Sequence, residues 1–134
     1  AEVEKFLDTV AICPSQLGQI GALWGMRNLR QWVAGERDEI LARRKAMVEG
    51  FRSLPGWKLL GCGAYFAYVE HPLAEPSDRL AQRLVADQSL LMLPGTMFAP
   101  QDDPRARRQL RIAFANSGIA GLATLVDRLG ALTG

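Results

Sequence analysis

The chain has 134 residues, of which 49% are hydrophobic, and a formal net charge of +2. This length fits one domain with a sizeable core, and so small a charge gives no reason to expect a nucleic acid or a charged membrane surface as a partner. No apolar run approaches the ~20 residues that span a bilayer, and the first residues lack a signal-peptide pattern. We therefore expect a cytoplasmic protein with no nucleic-acid and no membrane partner.

The first third of the chain is predicted to be helical. Residues 1–11 favour a short helix, which Pro14 separates from the next because proline disfavours the helical conformation in the residue before it. Residues 16–33 carry apolar side chains at roughly helical spacing, interrupted by glycines that cost about 1 kcal/mol each relative to alanine. We expect a bend at Gly35 and a second helix over residues 36–53, whose charges form a solvated face.

Strands and one helix are predicted for the middle of the chain. Residues 57–60 favour a short edge strand, followed by a loop at residues 61–63. Residues 64–70 are rich in aromatic and β-branched side chains, which favour a strand. Residues 78–87 have the apolar spacing of a helix, and the wholly apolar residues 90–93 indicate a central strand.

The single histidine and the two cysteines do not indicate a metal or redox site. His71 has no acidic or cysteine partner at ligand spacing, so we expect a solvated loop histidine. Cys13 and Cys62 are isolated thiols without metal or redox spacing, and we expect both to be buried and reduced.

The most informative stretch is residues 110–116, LRIAFAN. Strict alternation predicts a strand with Leu110, Ile112 and Phe114 on a core face and Arg111, followed by two alanines, on the other. Arginine presents two parallel N–H donors to a carboxylate, which lysine does not match. A guanidinium beside so much free space suits a flat anion, although an arginine on a half-exposed strand would give the same pattern.

Two further segments hold candidate pocket residues. Tyr65 lies beside glycines at the start of a predicted strand, where side chains often face a pocket, and a structural tyrosine is the alternative. Residues 96–100 form an unusually apolar loop, which must cover either the core or a ligand cleft. A last helix is predicted over residues 119–129. The order of elements favours the α+β class, with a small mixed sheet, helices packed on one face and a long bent helix in front.

Four short motifs, in this order, resemble those of the class I/II aminotransferases, the fold-type-I enzymes that use pyridoxal 5′-phosphate. Residues 12–19, ICPSQLGQ, resemble the Pro-x-x-x-x-Gln segment that opens the family's long interdomain helix. Residues 63–66, GAYF, resemble its GxYF strand, and residues 93–98, LPGTMF, resemble its xPGxxF loop. The LRIAF strand resembles the one whose arginine binds the substrate α-carboxylate. The resemblance covers nearly the whole chain.

The resemblance implies a role for each candidate. Arg111 would bind the α-carboxylate of amino-acid and 2-keto-acid substrates, and Tyr65 and Phe98 would line the entrance to the site. The helix around Gln19 would bridge to a cofactor-binding domain and to the second subunit of a homodimer. The intact enzyme would use pyridoxal 5′-phosphate to transfer an amino group between an amino acid and a 2-keto acid.

One departure from the family limits this interpretation. The family's Schiff-base lysine lies in a Ser-x-x-Lys-like segment upstream of these motifs, and Lys5, Lys45 and Lys58 all lack that setting. We therefore expect residues 1–134 to be the C-terminal small domain, with residues 1–35 as its interdomain helix region and the cofactor-binding domain missing. Such a fragment is expected to be inactive alone, with no catalytic, cofactor-binding or metal-binding residue of its own.

A second hypothesis from a different class fits the same residues. A free-standing α+β binding or dimerisation module would use the glycine-rich helix of residues 16–33, with its tryptophans, as an interface. Nothing in the sequence excludes it, because the chain contains no nucleophile–base pair, metal cluster or phosphate-binding loop. An upstream reading frame with a Ser-x-x-Lys followed by an Arg-x-Gly pattern would decide for the aminotransferase.

Overall fold

A computed structural model describes residues 2–100 and 102–133, which form two compact units divided after Arg37. The first unit contains α1 (Glu2–Val10), α2 (Gln16–Asn28) and the start of α3 (Arg30–Arg52). The predicted short N-terminal helix is confirmed, although its first residue, Ala1, lies outside the described residues. No residue of α1 or α2 is buried, so the apolar side chains of both helices are exposed.

The break between the long helices falls at Leu29, so the predicted bend at Gly35 is wrong. Gly35 lies inside α3, where a glycine weakens a helix without ending it. Immediately before the break, the Asn28 side chain donates from Nδ2 to the Trp24 carbonyl oxygen over 2.7 Å. Backbone hydrogen bonds of helical spacing continue on both sides of the break, from the Leu29 N–H to the Gly25 carbonyl oxygen and from the Val33 N–H to the Leu29 carbonyl oxygen.

The second unit is built on a four-stranded sheet in the order β1-β2-β4-β3. Its strands are β1 (Lys58–Gly63), β2 (Phe66–Glu70), β3 (Leu93–Pro94) and β4 (Gln109–Ala113). The α+β class is confirmed, but every neighbouring pair is antiparallel, so the sheet is not mixed. The helix α4 (Ser77–Gln88) connects β2 to β3, and these two strands would form a parallel pair if they were neighbours. They are not neighbours, because β4 lies between them.

Two predicted strand positions are wrong. Residues 61–63 belong to edge strand β1, which bulges between Leu59 and Gly61, and are not a loop. Of the apolar run at residues 90–93, only Leu93 pairs, and β3 is an edge strand. Leu90 and Met92 are buried while Leu91 is 80% exposed, so the run is apolar because it packs on the core, and not because it is a central strand.

One face of the sheet carries the core. Ala67 and Val69 of β2 and Leu110 and Ile112 of β4 are buried there. The covering helices are the second half of α3, α4 (Ser77–Gln88) and α5 (Ile119–Gly130). They contribute to the same cluster the buried residues Met47, Phe51, Leu80, Leu84, Leu122 and Leu129. Helices on one face are therefore confirmed. None of these three helices covers the other face, called the open face below, and the loop that begins at Gly95 lies against part of it. None of the described helices is long and apolar enough to cross a membrane.

The expectations for the cysteines are also corrected. Cys13 is exposed between α1 and α2, and Cys62 on edge strand β1 is only partly buried. Burial raises the pKa of the Cys62 thiol, and the nearby charge of Arg44 opposes that shift. Both thiols are free, as expected.

His71 is fully buried, which makes its prediction as a solvated histidine wrong. Its backbone N–H donates to the Arg108 carbonyl oxygen over 2.9 Å, continuing the pairing of β2 and β4 and drawing the ring inward. The imidazole lies against the buried Trp57, with 6.3 Å between ring centroids. Neither ring nitrogen makes a hydrogen bond of regular geometry with the described residues, although backbone groups of Arg107 and Leu73 lie near the imidazole.

This burial predicts a loss of stability in mild acid. Burial lowers the pKa of His71 below 6.5; the Arg107 backbone opposes this shift most strongly, the charge of Arg108 reinforces it, and Glu75 opposes it. Below pH 6.5, His71 becomes protonated in the unfolded chain but stays neutral in the folded chain. The free energy of unfolding should therefore fall by up to about 1.4 kcal/mol for each pH unit of acidification. Thermal unfolding at a series of pH values between about 7.5 and 5.5 measures this loss of stability. The His71→Leu variant should lose the part of this pH dependence that comes from the imidazole. An unchanged dependence of stability on pH in that variant would show that His71 is not its source.

Candidate functional site

Arg111 lies on the open face of the sheet. The predicted alternation is confirmed in β4, where Leu110 and Ile112 are buried while Arg111 is partly exposed and Ala113 is exposed. The strand ends earlier than predicted, because Phe114–Asn116 turn into a short 3-10 helix. Phe114 is nevertheless fully buried, as the pattern predicted.

Two aromatic rings contact the guanidinium of Arg111. Its central carbon lies 4.4 Å from the ring centroid of Phe66 and 4.1 Å from that of Phe98. Both distances are within the ~6 Å over which a cation is attracted to the face of an aromatic ring. The structure therefore brings together Arg111 and Phe98, two of the three residues selected from the sequence, and adds Phe66.

The donors of Arg111 are unused among the described residues. Other arginines of this unit pair with acids, for example Arg83 with Glu75 and Arg105 with Asp103. Arg111 makes no ion pair and no side-chain hydrogen bond to residues 2–100 or 102–133. A guanidinium has five N–H donors, so this partly buried cation retains its full capacity for an anion.

The loop that carries Phe98 is held tightly against the sheet. It begins at Gly95, the first residue of the short 3-10 helix Gly95–Met97, and the Phe98 N–H donates to the Gly95 carbonyl oxygen over 2.9 Å. A Cβ placed on Gly95 would lie 2.7 Å from the Ala106 carbonyl oxygen and 2.8 Å from the Tyr68 hydroxyl oxygen. Only glycine therefore fits at this point of the loop.

Tyr65 occupies the turn between β1 and β2. Its carbonyl oxygen accepts a hydrogen bond from the Phe114 N–H over 3.1 Å, which joins this turn to the end of β4. The side chain is 57% exposed and makes no ring contact with any residue that the structure describes. Tyr65 thus lies at the end of the β2–β4 pair, and among the described residues the cation–π contacts of Arg111 are with Phe66 and Phe98 and not with Tyr65.

Two arginines of α3 were missed by the sequence interpretation, which placed them on a solvated face. The Arg43 guanidinium donates to the Ala115 carbonyl oxygen and to Glu39. The Arg44 Nε donates to the Cys62 carbonyl oxygen over 2.8 Å. Both side chains therefore connect α3 to the backbone at the ends of β4 and β1, and no local sequence signal distinguishes them from ordinary surface arginines.

All three lysines have exposed side chains. Lys5 is 76% exposed and lies 3.6 Å from Glu2, and Lys58 is 68% exposed and bonds to Glu70 over 2.9 Å. Lys45 is exposed on α3. Among residues 2–100 and 102–133 there is also no group of three or more histidine, cysteine or acidic residues that could hold a metal ion.

The chain belongs to the aminotransferase class I and II family, whose family model matches residues 3–129. This confirms the resemblance drawn from the four motifs. No curated protein matches the sequence at a significant level.

Solved aminotransferase structures have the same fold. One from Mycobacterium tuberculosis is 23% identical with a TM-score of 0.77, and the match covers 97% of this chain and 33% of that chain. An alanine aminotransferase from Pyrococcus furiosus is 16% identical with a TM-score of 0.78, covering 94% and 32%. A tetra mutant of Thermus thermophilus aspartate aminotransferase is 23% identical with a TM-score of 0.75, covering 96% and 34%. The chain thus spans about one third of the length of these structures.

Proposed function

We propose that this chain is the C-terminal small domain of a pyridoxal-phosphate-dependent aminotransferase, which transfers an amino group between an amino acid and a 2-keto acid. Residues 1–35 form its interdomain helix region. Family membership over residues 3–129 and the one-third coverage of the solved aminotransferases support this proposal. The observation that carries it is Arg111, a partly buried cation with unused donors on the open face of the sheet.

Arg111 binds the substrate α-carboxylate in this proposal. Every α-amino acid and every 2-keto acid carries that group, so the same arginine can bind both the amino donor and the amino acceptor. The planar guanidinium offers two parallel donors to the two carboxylate oxygens, and a hydrogen bond to a charged group contributes about 1.5–3 kcal/mol. Phe98 and Tyr65 line the entrance, Phe98 in contact with the guanidinium and Tyr65 at the end of the neighbouring turn.

Pyridoxal 5′-phosphate supplies the electron sink for the amino transfer in this family. The described residues do not fit its attachment, because the three lysines are exposed and two of them bond to acids. We therefore assign the lysine and the cofactor site to a further domain of the intact enzyme, which precedes this one. The isolated chain is inactive under this assignment, since it orients a substrate but holds no reacting group.

The first unit provides the surface for the partners of this domain. Its helices expose a large set of apolar side chains, each at least 49% accessible: Val3, Phe6, Leu7, Val10, Ile12, Leu17, Ile20, Leu23, Trp24, Met26, Trp32 and Val33. Exposed apolar surface on this scale marks an interface. We assign it to the cofactor-binding domain and to the second copy of a homodimer, and the cytoplasmic location of that dimer stays a prediction.

The same apolar surface is the observation that favours the second candidate, a non-catalytic binding or dimerisation module. That candidate explains the exposed helices equally well. It does not explain why a partly buried arginine in contact with two aromatic rings keeps its donors unused among the described residues.

Borohydride reduction in the presence of the cofactor tests the proposal. In the intact enzyme, reduction should fix one equivalent of pyridoxal phosphate to a single lysine, and peptide mapping should place that lysine outside the present sequence. The 134-residue chain treated in the same way should take up no stoichiometric label. Stoichiometric labelling of Lys5, Lys45 or Lys58 would contradict the assignment of domains, and an intact protein that takes up no cofactor would favour the non-catalytic module.

A further inference from the structure

Two parts of the second unit converge on the guanidinium of Arg111. Phe66 belongs to β2 and Phe98 follows β3, yet their ring centroids lie 4.4 Å and 4.1 Å from the same carbon atom. Both rings are themselves only partly covered, at 41% and 45% exposure. The contact with the cation covers part of each ring and is the feature that the two phenylalanines share.

Each ring is attached to a rigid part of the backbone. Phe66 is paired with Gly63 on one side and with Ala113 on the other, two residues along the strand from Arg111. This is the diagonal position on the same face of the sheet, within reach of a long side chain. Phe98 follows Gly95, whose surroundings leave no room for a side chain. Strand pairing thus positions the backbone of Phe66, and close packing at Gly95 holds the start of the loop that carries Phe98.

An aromatic ring restricts an arginine differently from an acid. A carboxylate partner would hold the guanidinium, but it would occupy the donors that a substrate carboxylate needs. A phenyl ring has no hydrogen-bond acceptor, so it attracts the cation and leaves the N–H groups available. Restricting a flexible side chain before binding also reduces the entropy that binding costs.

We propose that Phe66 and Phe98 are positioning residues that hold the Arg111 guanidinium ready for a substrate carboxylate. This inference rests on the proposed function, because it assigns the rings a role in carboxylate binding by Arg111. It extends that function to Phe66, which lies in the GAYF motif but was not among the three site residues selected from the sequence. It also gives Phe98 a more specific task than lining the entrance.

The test uses acetate as a carboxylate probe and the Arg111 side chain as the reporter. In the intact enzyme labelled at arginine, ring currents should shift the Arg111 Nε–H resonance away from that of an exposed arginine. Phe66→Leu and Phe98→Leu should each return it toward the exposed value and weaken acetate binding roughly threefold to tenfold. Phe66→Tyr and Phe98→Tyr keep the rings and should restore both readings. Val85→Ala, on the exposed side of α4 and outside every surface assigned a partner, is the control and should change neither reading.

The possible results separate this inference from the proposed function. If Arg111→Lys weakens acetate binding while both leucine variants bind it like the parent, the positioning role is overturned and carboxylate binding by Arg111 stands. If acetate binds equally well to the Arg111→Lys variant, the proposed function of Arg111 fails, and the inference fails with it. If a leucine variant unfolds, the tyrosine variant at the same position provides the test. It retains the aromatic ring, so loss of acetate binding in that variant would contradict the proposal.

Discussion

Replacing Arg111 with alanine is expected to lower kcat/KM of the intact enzyme by about 2–4 kcal/mol, or roughly 30- to 1,000-fold, for amino-acid and 2-keto-acid substrates alike. Both kinds of substrate lose the same charge-assisted contact, and the substrate carboxylate is left beside two aromatic rings without a partner. Arg111→Lys keeps the charge but not the planar pair of donors, so its loss should be smaller. Steady-state kinetics with matched substrate pairs measure both effects.

Two controls distinguish binding from a structural role. Amines without a carboxylate should be affected far less, because they never use the contact. Arg52→Ala removes an exposed arginine whose ion pair with Glu49 lies on the helix surface, and such a pair is worth little. Equal losses for substrates with and without a carboxylate, together with a lower melting temperature of Arg111→Ala, would show that Arg111 is structural.

Gly95→Ala is expected to destabilise the fold by about 2–3 kcal/mol, a large effect for a single methyl group. The new Cβ would lie within 3 Å of the Ala106 carbonyl oxygen, the Gln109 Cβ and the Tyr68 hydroxyl oxygen. The Ala106 carbonyl belongs to the backbone of the short 3-10 helix Pro104–Arg108 and cannot rotate away. Relief therefore requires a shift of the loop that carries Phe98, so carboxylate binding should weaken as well.

Gly121→Ala provides the matched comparison. This glycine lies in α5, and its added Cβ would come no closer than 3.5 Å to the Ser117 Cβ, an ordinary contact. Because alanine is the better helix former, the variant should be more stable than the parent by up to about 1 kcal/mol. Thermal or urea unfolding measures both variants. Equal stability of Gly95→Ala and the parent would mean that the loop is loosely packed and does not fix Phe98.

The features predictable from the sequence are those that depend on local periodicity. Alternation along β4 is sufficient to place Leu110 and Ile112 in the core and Arg111 outside it, because a strand has a side-chain period of two. The order of strands and helices is likewise sufficient for the α+β class. Arg111 and Phe98 could be selected because each lies in a short motif shared with a known family.

The features that were missed depend on contacts between distant parts of the chain. The burial of His71 comes from its pairing with Arg108, which lies 37 residues away. The contact of Phe66 with Arg111 requires the register of β2 against β4, which no local pattern specifies. The antiparallel sheet has the same origin, since β4 enters between two strands that are neighbours in sequence.

Transfer of a labelled amino group is the most direct test of the central claim, that this domain serves an aminotransferase. The intact enzyme is incubated with pyridoxal phosphate, an amino acid carrying an isotopic label on its α-nitrogen, and an unlabelled 2-keto acid. Mass spectrometry should find the label in the new amino acid formed from the keto acid, and Arg111→Ala should lower that yield by roughly the same factor as kcat/KM. Release of the label as ammonia, or its retention in the original amino acid by an enzyme loaded with cofactor, would contradict this account.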